Sequence, residues 1–160
     1  MSSLIQTDLH WLQGITFDVH TREHHSLMDG HREFGGKDRG PNPKEFLLNA
    51  LCGCSGMDVV SLLKKYKINY KSFDVHAEGE LTSTHPKVFK SVQMKYSLTT
   101  DENIDASLFI KAVDLSMTQY CGVSAMLTQA FPVTYSLELN NAVIHQSQAQ
   151  FQKLNTESNN

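Results

Sequence analysis

The chain is poor in the features that announce most protein classes. Three cysteines and four prolines in 160 residues are too few for a disulfide framework or a proline-rich linker, and the odd cysteine count leaves at least one thiol unpaired. Positive charge is not in excess. A net charge of −3 and a pI near 6.2 argue against a nucleic-acid or anionic-membrane partner, which would select a basic face. No uninterrupted apolar run reaches the ~20 residues that span a bilayer. The N-terminal Met1-Ser-Ser-Leu-Ile-Gln-Thr-Asp8 lacks the basic and apolar regions of a signal peptide, so a cytoplasmic location is the expectation. Internal repeats are absent. Cys52-Gly-Cys54 has neither the two-residue spacing nor the second pair of a zinc knuckle, so no metal is expected there. Gly35-Gly36 lacks the preceding strand and the following Lys-Ser/Thr of a phosphate cradle.

What remains is an ordinary globular composition, 40% hydrophobic and 19% charged, organised around one apolar stretch. Pro43 suits a first helical position and Asn42 can cap the turn before it. Glu45 near the start, with Lys64 and Lys65 at the end, match the helix dipole. Between them lies a helix apolar almost all round, which needs cover on most sides. Before it, residues 3–20 alternate as two strands joined at Gln13-Gly14, and His25–Asp29 reads as a third. Gly30–Gly40 is a loop with four glycines and five charged residues. After it, Asn69–Leu81 and Val88–Leu98 alternate as long strands. A second helix follows Asn103 or Asp105, with Leu108, Ala112 and Leu115 on one side. Gly122 breaks it, a short third helix runs to Ala130, and Pro132–Glu138 is the last strand expected.

The order β-β-β-α-β-β-α-α-β predicts an α+β domain of mostly antiparallel sheet over residues 1–139. Residues 140–160 read as a polar tail, partly disordered. One small sheet cannot cover the central helix on all sides, which implies an obligate homodimer.

Two segments resemble a known family. Asn42-Pro-Lys-Glu-Phe-Leu-Leu-Asn-Ala-Leu-Cys-Gly-Cys54 is similar to the cysteine-bearing helix of the osmotically inducible protein C and organic hydroperoxide resistance (OsmC/Ohr) family. Ala112-Val-Asp-Leu-Ser-Met-Thr-Gln-Tyr-Cys-Gly-Val-Ser-Ala-Met-Leu127 is similar to that family's second motif. His10-Trp-Leu-Gln-Gly-Ile-Thr-Phe17, Leu27-Met-Asp-Gly30 and Met57-Asp-Val-Val-Ser-Leu-Leu-Lys-Lys65 look closest to its YhfA-like branch, and the likeness covers about residues 3–138.

The resemblance implies an OsmC-like fold: antiparallel sheets wrapped around a central helix in an intertwined homodimer. It implies thiol-dependent reduction of organic hydroperoxides in oxidative stress defence, with Cys54 reactive and Cys121 resolving. An external thiol or dithiol is the reductant, and no metal or nucleotide cofactor is implied. In the family's peroxidases a Glu directly after Asn-Pro and an Arg from the N-terminal strands hold the thiolate. Here Lys44 takes the place of that Glu, and Leu12-Gln-Gly14 offers no arginine. Glu45 is one residue late, nine residues before Cys54, on the opposite helix face and roughly 13 Å away along the axis. The cations that might serve instead are Arg22, Arg32 and Arg39, with His24, His25 and His31 behind them.

Plainer roles compete with these. A buried cysteine is commonly a small core residue, and this suits Cys52, about 200° around the helix from Cys54. Adjacent histidines in a strand point to opposite faces, so His24 and His25 do not chelate together. Asp58, one turn beyond Cys54, and Asp114 are expected to pair with a base or a backbone donor. The lost clamp motivates a second function, a non-catalytic redox-sensing or small-ligand-binding dimer on the same fold.

Overall fold

The N-terminal alternation becomes a three-stranded antiparallel sheet, β1 (Asp8–Gln13), β2 (Thr16–Thr21) and β3 (His24–Met28), in the order β1-β2-β3. The computed structural model describes residues 4–152 and divides into two units, one ending at Asn49 and one beginning at Ala50. The division falls inside α1 (Pro43–Lys65).

In the first unit the hairpin turns sit where the sequence places them. Gly14 supplies a left-handed turn residue at φ 55°, and Arg22 takes a similar conformation at 56°. Pairing sets Asp8 opposite His20, His10 opposite Asp18, and His20 opposite His25. Polar residues therefore collect on one face, while Leu9, Trp11, Phe17, Val19 and Met28 alternate onto the other.

Asp29 ends this sheet and organises the loop after it. Its carboxylate is buried and accepts backbone N–H bonds from Gly30 (2.8 Å), Lys37 (3.1 Å) and Arg39 (3.2 Å). Burial alone would raise its pKa. The N–H donors, with the Thr16 hydroxyl, outweigh it and hold the carboxyl below its ordinary value. A depressed folded pKa adds stability above the unfolded carboxyl value, about pH 3.9, which is lost as pH falls through the folded pKa. Asp29→Asn is expected to lower the melting temperature at neutral pH and to flatten its decline below about pH 4. Wild-type and variant acid melting curves of equal slope would contradict this.

α1 opens on a capping box. Asn42 Oδ1 accepts from the N–H of Lys44 (2.9 Å) and Glu45 (3.1 Å), and Glu45 Oε2 takes the N–H of Asn42 at 2.7 Å.

In the second unit α1 buries one stripe, Leu51, Ser55, Val59 and Leu63. Residues four apart fall on one face, and each such aliphatic side chain contributes about 1.5–3 kcal/mol. Met57 is 76% exposed and Val60 40% exposed, so the chain by itself does not provide the all-round cover that the helix's composition calls for. By length and composition α1 also meets the requirement for a membrane span, contrary to the expectation drawn from uninterrupted runs. Of that apolar window 22% is buried, with Leu51, Val59 and Leu63 fully so.

A four-stranded sheet has the order β4-β5-β6-β7, with β4 (Ser72–Leu81), β5 (Phe89–Thr99), β6 (Val133–Leu139) and β7 (Ala142–Gln148). β4–β5 and β6–β7 are antiparallel, while β5–β6 is parallel. The parallel pair follows from the helical crossover between those strands, α2 (Ala106–Leu115), a π-helical turn (Ser116–Tyr120) and α3 (Gly122–Leu127). Val92, Met94, Tyr96 and Leu98 of β5 point inward with Val133, Tyr135 and Leu137 of β6. Phe109, Ala112 and Val113 of α2 are buried with them. Asp105 caps α2 through the Ser107 N–H at 2.9 Å.

β7 corrects the expected tail from residue 140. Asn140 and Asn141 both take positive φ, 49° and 67°, a two-residue hairpin turn that returns the chain along β6. Its Gln and Ser side chains suit an edge strand open to water, which is why the segment reads as polar tail. Residues 153–160 of that expected tail lie outside the described residues.

Candidate functional site

The site is built where α1 meets the break between α2 and α3. Cys54 lies on α1 and is half-buried, with Ser55 beside it donating to the Leu51 carbonyl at 2.9 Å. Asp58 follows one turn later. Across from it, the π-helical turn carries Ser116, whose Oγ donates to Asp58 Oδ2 at 3.0 Å and approaches the Ser55 carbonyl at 3.5 Å. Among the described residues Asp58 thus pairs with a side-chain hydroxyl, not with a base or backbone donor.

Cys121 then leaves helical geometry, at φ −70° and ψ 101°, and caps α3, its Sγ accepting the Ser124 N–H at 3.3 Å. It has no exposed surface. The sulfurs of Cys54 and Cys121 and a carboxylate oxygen of Asp58 all lie within 4.8 Å of one another. The site therefore joins an accessible thiol, a buried thiol close to it, and a carboxyl group beside both. The same trio is one of two described groups whose atoms are close enough to hold a metal ion.

Burial pushes the Cys121 thiol up to about 11; Ser124 opposes the rise and Cys54 adds to it. Cys121 is therefore a thiol at neutral pH and a poor first nucleophile. Beneath the cysteines, Tyr96 Oη donates to Met117 Sδ at 3.2 Å and to Met94 Sδ at 3.6 Å. Burial pushes the Tyr96 pKa well up, so it stays a neutral donor. Cys52 faces elsewhere, in an apolar groove with Met57, Val60 and Phe73, and burial raises its pKa too.

Most of the other expected residues belong to the first unit. Glu45 is engaged in the helix cap, with His31 Nε2 3.6 Å from its second oxygen. Arg22 lies in the β2–β3 turn, Arg32 in a short 3-10 helix (Arg32–Phe34), and Arg39 just before α1. Among the described residues none of the three forms an ion pair. His24 is exposed, and His25 lies 3.6 Å from Asp18. Asp114 accepts from Tyr135 at 2.7 Å and sits 3.3 Å from His145. Ser116 is the site residue that pattern reading misses. Its only signal is a polar residue at a position that continues the apolar face of α2.

The family model described as OsmC-like protein matches residues 35–136, a span that holds α1, both cysteines and the start of β6. The chain belongs to the OsmC-like family. Within it, Protein YhfA of Escherichia coli K12 is 34% identical over 136 residues, covering 84% of this chain and 98% of that protein. Among solved structures, a hypothetical protein from Aquifex aeolicus VF5 superposes with a TM-score of 0.76 at 27% identity, covering 86% of this chain and 97% of that one. A Legionella pneumophila protein described as an organic hydroperoxide resistance protein OsmC shares the fold, with a TM-score of 0.60 at 18% identity, over 86% of this chain and 96% of its own. The OsmC-like assignment made from the two cysteine motifs therefore stands, with the YhfA-like branch as its near relative.

Proposed function

We propose that the protein is a cytoplasmic, homodimeric thiol peroxidase that reduces organic hydroperoxides. The observation that carries this reading is the pairing of a half-exposed Cys54 with a buried Cys121 within 4.8 Å. Cys54 as thiolate attacks the terminal oxygen of ROOH. The O–O bond breaks, an S–O bond forms, and RO⁻ takes a proton to leave as ROH. The sulfur is oxidised to sulfenic acid and the hydroperoxide reduced to alcohol. Cys121 then attacks that sulfur and expels water, closing a disulfide. An external dithiol reopens it and is itself oxidised to a disulfide.

Family membership supports this reading, as does the fold shared with a protein named for hydroperoxide resistance. A dithiol-driven assay for loss of a small organic hydroperoxide, such as cumene hydroperoxide, tests it. Turnover that depends on both protein and dithiol is expected, and loss no faster than with dithiol alone would sink it.

The dimer is supported by the apolar surface that α1 leaves open at Met57, Val60 and Leu47. Sedimentation equilibrium is expected to give twice the chain mass, and Met57→Asp to shift the population toward monomer. A monomeric wild type at micromolar concentration would refute it.

One observation favours the second reading, a redox-sensing or ligand-binding dimer. Asp58 sets a carboxyl group, not a cation, within 4.8 Å of Cys54 Sγ. Under this reading the disulfide forms once per oxidant and no sustained turnover is seen with dithiol, which separates the two.

A further inference from the structure

The β1–β3 sheet gathers a second cluster, with no part in the thiol chemistry. Asp18 and His20 are two residues apart on β2, so their side chains share a face. Register puts His25 of β3 opposite His20 and His10 of β1 opposite Asp18, on that same face. His24 alternates to the other side. His25 thus finds its partners on the neighbouring strand, a pairing invisible to a reading of adjacent histidines. His20 Nε2 lies 2.8 Å from Asp18 Oδ2, and His25 Nδ1 lies 3.6 Å from the same oxygen. The His20 ring is 3.9 Å from that of His25 and 4.6 Å from that of His10, centroid to centroid.

We propose that Asp18, His20 and His25 form a binding site for a late first-row divalent metal ion of the zinc and copper class, with water completing the coordination. One donor atom from each residue lies within 4.8 Å of the other two. A tetrahedral set with bonds of about 2.1 Å has donors about 3.4 Å apart. The observed 2.8 and 3.6 Å straddle that value, so small side-chain rotations close the set. Two imidazoles and one carboxylate suit zinc, copper or nickel better than calcium or magnesium, which favour oxygen ligands alone.

Nε2 of His20 faces Asp18 Oδ2, and binding a metal ion through Nε2 puts the ring proton on Nδ1, so the imidazole remains neutral. Side-chain exposures of 31%, 29% and 60% for His20, Asp18 and His25 leave the site open to entry.

Titration of the full-length Cys54→Ser/Cys121→Ser protein with Zn(II) against a chromophoric chelator tests this, the two substitutions removing the thiol pair that could also hold a metal ion. One equivalent bound with Kd below about 10 µM is expected. His20→Ala and His25→Ala are each expected to weaken it at least about tenfold, on the scale of ligand-shell losses. His76→Ala, an exposed histidine beside Glu78, is expected to leave it unchanged. Cu(II) in the same protein is expected to show nitrogen superhyperfine splitting from two imidazoles, reduced to one in His25→Gln, a variant that keeps side-chain bulk should His25→Ala misfold. No stoichiometric Zn(II), equal losses from His76→Ala and His25→Ala, or a copper spectrum unaltered by His25→Gln would overturn the assignment.

Discussion

Cys54→Ser is expected to lower hydroperoxide turnover by about three orders of magnitude or more, the scale on which loss of a nucleophile is felt. Serine differs from cysteine by one atom, but its hydroxyl does not ionise near neutral pH and is a poor nucleophile toward the O–O bond. The fold is expected to survive. Cys54 is only half-buried, and its neighbour Ser55 already satisfies a hydroxyl on the helix through the Leu51 carbonyl. Circular dichroism is the control. A Cys54→Ser protein that keeps its spectrum and its turnover would place the chemistry on another residue.

Cys121→Ser is expected to act differently, stopping the cycle after its first half. In the wild type one equivalent of hydroperoxide removes two hydrogens per chain, a mass loss of about 2 Da. In the variant the same equivalent is still consumed, but the oxygen stays on Cys54 and the mass rises by about 16 Da. The Ser124 N–H that meets Cys121 Sγ has a serine oxygen to bond instead, which limits the structural damage. The closing step also carries a pH signature. Burial holds Cys121 at about 11, so the thiolate fraction rises about tenfold per pH unit through neutrality. Disulfide closure in the wild type is expected to accelerate with pH up to about 11, and stopped-flow at several pH values measures it. A closure rate flat from pH 6 to 9 would remove Cys121 from the step.

The α+β class and the nine earlier strands and α-helices were legible along the chain, because each rests on short-range rules, and both cysteines of the site were legible through the two motifs that resemble the family. Alternation marks β4 and β5, capping residues mark α1 and α2, and Gly122 marks the helix break at Cys121. β7 was not legible, since an edge strand can be polar on its outer face and Asn140-Asn141 resembles the start of a tail.

The sequence by itself determined the order of strands and helices, and through the family resemblance it marked two thiols, Cys54 and Cys121, and Lys44 where a family carboxylate would be. Local patterning is enough for the order of elements, because helix and strand periods are properties of a few consecutive residues, whereas the thiol pair and Lys44 were read from the resemblance. Only the tertiary structure decided that Ser116 holds Asp58 at the thiols, and that Glu45 is committed to the helix cap. It alone brought His25 from β3 to His20 and Asp18 on β2. Those are contacts between residues distant in the chain, fixed by strand register and by one π-helical turn, neither of which leaves a periodic trace in the sequence.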